Sequence, residues 1–335
     1  MANGVLGGKL AFVTGAGSGI GRAACQVLAR EGAKVIATDK DEKSAQKTLS
    51  LLKSSSATFQ HLHFPLDVSR SEEVYSMVKS AIEHFSVPPS IVVNCAGITR
   101  DNFLLKLDED SFQQVIDVNL KGTFLVTQTI ARALVEANIT GASIINLASI
   151  VGRTGNIGQC SYSASKAAIE AFTKTTAKEL GTPESNHDLP VFGSLVQHES
   201  SALDHMATEA VWGVTQADLR RNVPQGGSER YTGGPPEECA KNVPQGGSGR
   251  YTGGPHGGMC TECSTSFGIR CNAVVPGFID TPMTDAVPDK VKEKFRATIA
   301  LKRFGRAEEV AEVIAFLASD KSSYVNGASI EVIGG

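Results

Sequence analysis

The feature that most limits how this chain can fold is an alternation. Between residues 9 and 180, short β-branched runs take turns with stretches of helical periodicity. Candidate strands fall at 10–14, 34–38, 62–66, 91–94 and 143–147, with helices at 21–31, 43–53, 72–85, 111–137 and 162–180. Strands joined through helices run parallel, because each helix carries the chain back across the sheet before the next strand begins. The pattern resumes at 269–275, continues with helices at 290–298 and 307–318, and closes on a strand at 329–333. The expected fold is α/β, a doubly wound parallel sheet of seven strands with helices on both faces.

Residues 182–266 interrupt the pattern. They hold 13 Gly and 7 Pro in 85 residues, too much to build a packed core. Within them 222–235 recurs almost unchanged at 242–255, with Glu229 replaced by Gly249. Two Gly/Pro-rich copies fall short of the roughly three units a solenoid needs to bury a core. The chain therefore reads as one domain made of 9–181 and 267–335, interrupted by a low-complexity, disordered insertion. Cys239, His256, Cys260 and Cys263 lie inside it with only one C-x-x-C spacing and no hydrophobic pattern to fold around them, so no metal site is expected.

Charge and hydropathy exclude whole classes. The net charge is −3 over 335 residues, and the insertion is the acidic part, leaving +2 on the remainder. That gives no basic excess for nucleic acid. No apolar run approaches the roughly 18 residues of a membrane-crossing helix. The first nine residues are too short for a secretory signal and lack the Arg-rich pattern of a transit peptide, and seven Cys is an odd count. A reducing compartment, cytoplasmic by default, is the reading from residues alone.

The chemistry begins after the first strand. Thr14 and Gly15 open a T-G-x-x-x-G-x-G turn running through Ser18, Gly19, Ile20 and Gly21 straight into a helix. Glycines let the backbone turn tightly and approach a pyrophosphate, which sits on the N–H groups of the helix N-terminus. A Rossmann-like nucleotide site follows. Asp39 ends the second strand, where a carboxylate accepts bonds from an adenosine ribose and repels a 2′-phosphate, favouring NAD over NADP; Lys40 beside it pulls the other way. Asp67 and Val68 occupy the equivalent place after the third strand, suited to the adenine edge.

Tyr162 and Lys166 stand four residues apart on one helix face, so the ammonium is expected to lower the phenol pKa and fit the tyrosine for proton exchange. Ser149 ends the fifth strand, where its hydroxyl can hold the same substrate oxygen. Asn119 is a polar residue inside an otherwise apolar helix, an arrangement that normally costs stability.

Together with Asn94-Cys95-Ala96-Gly97 after the fourth strand and Pro276-Gly277 after the sixth, these motifs resemble the short-chain dehydrogenase/reductase family over nearly all of 9–180 and 267–335. The resemblance implies that Tyr162 is the general acid/base, that Lys166 binds the nicotinamide ribose, and that Ser149 orients the substrate oxygen. Asn119 would hold a water that relays protons from Lys166. Asn94, Ala96, Gly97, Pro276, Gly277, Ile279 and Thr281 would line the cofactor.

It further implies hydride transfer between NAD and a secondary alcohol or ketone, either a 3-hydroxyacyl or 3-oxoacyl thioester or a 17β-hydroxysteroid. A homo- or hetero-tetramer with another family subunit, acyl carrier protein as a possible partner, and the mitochondrial matrix follow from the same source. A structural subunit of a reductase complex, or an inactive product disrupted by the insertion, are the competing readings. The segment after the sixth strand, 278–306, is expected to cover the pocket with Phe278, Ile279, Met283, Val287 and Phe295. Its basic run, Lys290, Lys292, Lys294, Arg296, Lys302 and Arg303, is either a docking patch for an anionic carrier or a solvated helix face.

Overall fold

A computed structural model of the chain describes residues 4–52, 60–181, 267–285 and 287–335; the insertion at 182–266, with its repeat and its expected disorder, lies outside the described residues. Strands β1 (Leu10–Thr14), β2 (Lys34–Asp39), β3 (Leu62–Pro65), β4 (Ile91–Asn94), β5 (Ser143–Leu147) and β6 (Arg270–Pro276) belong to one sheet. Among the described residues two short strands, β7 (Ile279–Asp280) and β8 (Gly305–Arg306), pair only with each other, and β9 (Ser329–Val332) returns to the main sheet. Its spatial order is β3-β2-β1-β4-β5-β6-β9, with all neighbours parallel. The seven expected strands are all present.

β1, β4 and β5 are buried along their whole length, as a parallel sheet covered on both faces requires. Alternate residues sort to opposite faces. Ala11 and Val13 pack with α1 (Gly19–Arg30) and the helix Ala307–Ala318. Leu10 and Phe12 face α3 (Ser71–Phe85) and the helix Gly122–Glu136, where Ile130 and Leu134 are wholly enclosed. Each such side chain contributes about 1.5–3 kcal/mol through burial. α2 (Glu42–Leu51) starts on an Asp41 cap whose carboxylate accepts from Lys43 N.

The long helix expected at 111–137 is broken. It comprises α4 (Glu109–Ile116), a wide π-type turn at Asp117–Lys121, and α5 (Gly122–Glu136). The turn carries Asn119, whose side chain binds backbone outside the helix, and such turns gather at functional positions. Next come α6 (Val151–Thr154) and α7 (Cys160–Gly181), then α8 (Pro282–Asp285), α9 (Asp289–Thr298) and α10 (Ala307–Ala318). β1 and β4 lie side by side while their helices leave to opposite faces. That switch point opens a crevice at the carboxyl ends of the strands, where ligands of such sheets bind.

Candidate active site

A cavity of about 1000 Å³ occupies this crevice. Gly15, Ser18, Gly19, Ile20 and Gly21 line one end of it, followed by Asp39, Asp67 and Val68. The glycines are there for space. Gly15 has φ +62°, and a Cβ on it would stand 2.8 Å from Ala96 N, while a Cβ on Gly21 would stand 2.1 Å from the Gly15 carbonyl oxygen. Ser18 makes no side-chain cap, so the N–H groups of the first turn of α1 face the cavity as an anion site. The Arg22 guanidinium donates to Gly17 O and to Thr48 Oγ1, bracing the turn from behind.

The Asp39 carboxylate is held on both oxygens, by Gly17 N at 2.9 Å and Asp41 N at 2.9 Å. Lys40 turns away from it and pairs with Asp67 at 2.7 Å. The cation next in sequence therefore does not neutralise Asp39. These residues fit a nicotinamide dinucleotide: a backbone cradle that any Cβ would fill, an N-terminal anion site, and a fixed carboxylate at the ribose position.

Farther along, the cavity wall contains Ala96, Gly97, Ser149, Tyr162, Lys166, Pro276, Gly277, Ile279 and Thr281. Ser149 follows β5 between two anchored residues, since Ala148 N and Ile150 N bond the β6 carbonyls of Val274 (2.9 Å) and Pro276 (3.0 Å). Its Oγ accepts from Val151 N at 3.3 Å, and it lines the same cavity as Tyr162, one turn before Lys166 on α7.

Lys166 is buried and donates to Leu147 O at 2.6 Å, with its Nζ 5.6 Å from the Tyr162 ring centroid. Burial lowers Lys166 to about 8. The expectation that Lys166 lowers the phenol is corrected here. Burial pushes Tyr162 above the usual tyrosine value and Asp101 adds to the rise, while the nearby Ser149 hydroxyl opposes it. Tyr162 is thus a protonated donor at neutral pH, with Ser149 beside it.

Two sequence candidates sit elsewhere. Asn94 is not part of the cavity wall: its Nδ2 donates to Thr127 Oγ1 (3.0 Å) and Asn146 Oδ1 (2.9 Å) inside the sheet, joining β4, α5 and β5. Asn119 is also enclosed behind the wall. Its Oδ1 accepts from Ile98 N (2.8 Å), and its Nδ2 donates to Ile98 O (3.0 Å) and Ser165 Oγ (3.0 Å). The side chain ties the loop after β4 to α7, which resolves the apparent cost of a polar group in an apolar helix.

At the far end, Phe278, Met283, Val287 and Phe295 supply an apolar wall. Phe278 stacks on Phe295 (centroids 4.0 Å apart) and on Phe304 (5.7 Å). Of the basic run only Lys292 reaches the cavity. Arg296 lies over the Phe304 ring, Lys302 Nζ bonds Ala297 O, and Arg303 pairs with Glu309 of α10, so these three serve local structure. Cys95, Asp101 and Gln159 also line the wall and were not singled out from sequence. Gln159 Nε2 donates to Asp101 at 2.9 Å, joining two loops that no local periodicity relates.

A doubly wound sheet with a glycine-cradled dinucleotide site and a Ser–Tyr–Lys cluster defines a nicotinamide-dependent oxidoreductase acting on CH–OH groups. Residues 9–184 match the "short chain dehydrogenase" family model, and 259–335 match that of "Enoyl-(Acyl carrier protein) reductase". The chain belongs to the short-chain dehydrogenase family. It is 40% identical to the (3R)-3-hydroxyacyl-CoA dehydrogenase of Mus musculus over 331 residues, covering 97% of this chain and 95% of that one. The Homo sapiens protein of the same description is also 40% identical, with 97% and 94% covered. A 3-oxoacyl-[acyl-carrier-protein] reductase FabG of Thermotoga maritima is 33% identical, with 98% of each chain covered.

Proposed function

We propose that the chain is an NAD-dependent dehydrogenase interconverting 3-hydroxyacyl and 3-oxoacyl thioesters in fatty acid metabolism. The observation that carries it is the single cavity that brings Ser149, Tyr162 and Lys166 together with a dinucleotide cradle and an apolar wall of Phe278, Met283 and Phe295. The names of the relatives point to the thioester. NAD rather than NADP rests on the Asp39 carboxylate, fixed by two backbone N–H groups and left uncompensated by Lys40. Such a charge opposes a 2′-phosphate.

The bound cofactor would supply the hydride acceptor in oxidation as NAD and the hydride donor in reduction as NADH. Tyr162 gives its proton to a 3-oxo oxygen in reduction and takes one from the 3-hydroxyl in oxidation, and Ser149 hydrogen-bonds the same oxygen to fix its distance. Lys166, one turn along α7, holds the cofactor ribose. Asn119 acts by holding Ile98 and Ser165 in register behind the site, and its committed side chain favours bracing over the water-holding role drawn from the family.

A second reading is 17β-hydroxysteroid oxidation. NCAGITRDNFLL, VNLKGTFLVTQ and PGFIDTPMT resemble 17-beta-hydroxysteroid dehydrogenase type 8, described also as the alpha subunit of a mitochondrial 3-oxoacyl-acyl-carrier-protein reductase. The wide apolar wall suits a steroid as well as an acyl chain. We carry the same resemblance to a homo- or hetero-tetramer in the mitochondrial matrix, with acyl carrier protein as a partner; light scattering and cell fractionation test both.

The assay uses the full chain with NAD and, separately, (3R)-3-hydroxybutyryl-CoA, a longer 3-hydroxyacyl-CoA and estradiol. Turnover of the thioesters above that of estradiol is the expected result. Turnover of estradiol alone selects the second reading, and turnover of none rejects both.

A further inference from the structure

We propose that Arg153 is a positioning residue, which through Glu170 locks the turn carrying Ser149 onto the helix carrying Tyr162 and Lys166. The inference rests on the reading of Ser149 as the hydroxyl that orients the substrate oxygen.

The Ser149–Tyr162 pair joins the end of a strand to a helix. Ala148 and Ile150 are bonded to β6, so Ser149 moves with the strands. Tyr162 sits on α7, a 22-residue helix lying over the sheet and bonded to β5 through Lys166 Nζ on Leu147 O (2.6 Å) and Asn146 Nδ2 on Thr173 Oγ1 (2.9 Å). A shift of about 1 Å is enough to spoil a two-hydroxyl grip on one oxygen.

Two further contacts oppose such a shift, both from the single turn of α6 that follows Ser149. At Gly152 the backbones of α6 and α7 touch: a Cβ there would stand 2.7 Å from Ala167 N and 2.9 Å from the Lys166 carbonyl carbon. At Arg153 the guanidinium grips Glu170, with Nε 2.9 Å from Oε1 and 3.1 Å from Oε2, and with Nη2 on Oε2 as well. Its remaining arm, Nη1, bonds Glu331 of β9.

Geometry separates this cluster from an ordinary surface ion pair. Tyr162, Lys166 and Glu170 succeed one another at four-residue spacing, so the carboxylate lies on the stripe of α7 that carries the two reacting side chains. The Glu170 side chain is only 9% exposed, and Arg153 holds its carboxyl below the usual range. A guanidinium engaged along two edges fixes direction as well as distance, which a point charge would not. The clamp ties the serine turn, the tyrosine helix and the last strand at one place, four residues from Ser149.

The test uses Arg153→Met and Arg153→Lys in the full chain, each alone and combined with Ser149→Ala, assayed with NAD and a 3-hydroxyacyl-CoA. Arg153→Met is expected to lower kcat about tenfold with the Kd for NAD within about twofold, and Arg153→Lys, which loses the fork, to fall between it and the parent. In the Ser149→Ala background the further loss is expected to be less than about twofold, because a residue acting through Ser149 has nothing left to position. A full tenfold loss on top of Ser149→Ala, or no loss in Arg153→Met alone, overturns the proposal.

Glu170→Gln repeats the test should Arg153→Met fail to fold. Amide hydrogen exchange reads the clamp without any turnover: residues 150–155 are expected to exchange faster in Arg153→Met while those of α1 and β2 stay as in the parent, and unchanged exchange at 150–155 also overturns it. A parent chain that turns over no substrate while its exchange responds in this way would reject the proposed function and leave the clamp standing.

Discussion

At the nucleotide end of the cavity the wall is made of backbone and of side chains bonded to backbone: Gly17 N on Asp39, Arg22 on Gly17 O, and Thr48 Oγ1 on Ala16 O at 2.7 Å. At the substrate end it is made of rings, with Phe278, Phe295 and Phe304 stacked on a segment joined to itself by the two-residue β7–β8 pair. The first kind of wall has directional contacts and no room for an added methyl. The second is held by dispersion and apolar burial, which tolerate a change of volume and adjust to it. One end recognises a constant molecule, and the other can follow a substrate class through small changes in side chains.

Substitutions should expose this difference, beginning at the rigid end. Gly21→Ala places a methyl on the Gly15 carbonyl, and we expect a loss of about 3 kcal/mol, seen as a melting temperature lowered by about 5–10 °C with NAD no longer protecting. A melt within 2 °C of the parent, still raised by NAD, would show that the cradle has slack.

Lys166 offers a test of burial through pH. Its value of about 8 lies below the ordinary lysine value of 10.5, so the folded chain releases this proton more readily than the unfolded chain. The cost of burying the ammonium is fully present below pH 8 and relieved as pH rises toward 10.5. The parent should therefore gain about 2 kcal/mol relative to Lys166→Met between pH 7 and pH 10, measured by denaturant unfolding at both. A constant difference would mean that the ammonium is well solvated.

Asp39→Asn keeps the shape and removes the charge. Selectivity for NAD over NADP, as the ratio of kcat/KM values, should fall about tenfold. At the softer end Phe295→Ala removes one ring of the stack, where a pair contributes about 1 kcal/mol. The KM for a long 3-hydroxyacyl-CoA should rise about fivefold with the KM for NAD unchanged. An effect on NAD as large as that on the thioester would erase the distinction between the two ends.

What could be read from the sequence follows the same line. The strands, the glycine turn, Asp39 and the Tyr162–Lys166 pair are local patterns, because a turn, a strand end and one helical repeat each need only neighbouring residues. Asn119 was recognisable as a polar residue in an apolar helix and Asn94 as part of a family motif, yet their partners, Thr127, Asn146, Ile98 and Ser165, come from other elements, so their bracing of the sheet and of α7 was not legible. The direction of the Tyr162 shift was misread for a related reason. Residue spacing reveals the nearby ammonium but not the degree of enclosure, and enclosure dominates. The π-type turn at Asp117–Lys121 has no periodic signature, since one extra residue in a turn looks like a continuing helix.

The claim on which everything else depends is that Tyr162 exchanges a proton with the substrate oxygen. Single-turnover reduction of a 3-oxoacyl-CoA by preloaded NADH, in the parent and in Tyr162→Phe, addresses it without interference from product release. The phenylalanine keeps the ring and removes only the hydroxyl, so the account predicts that NADH binds within about twofold of the parent while the rate of cofactor oxidation falls about a thousandfold. A rate within tenfold of the parent would contradict it and move the proton donor to another group in the cavity.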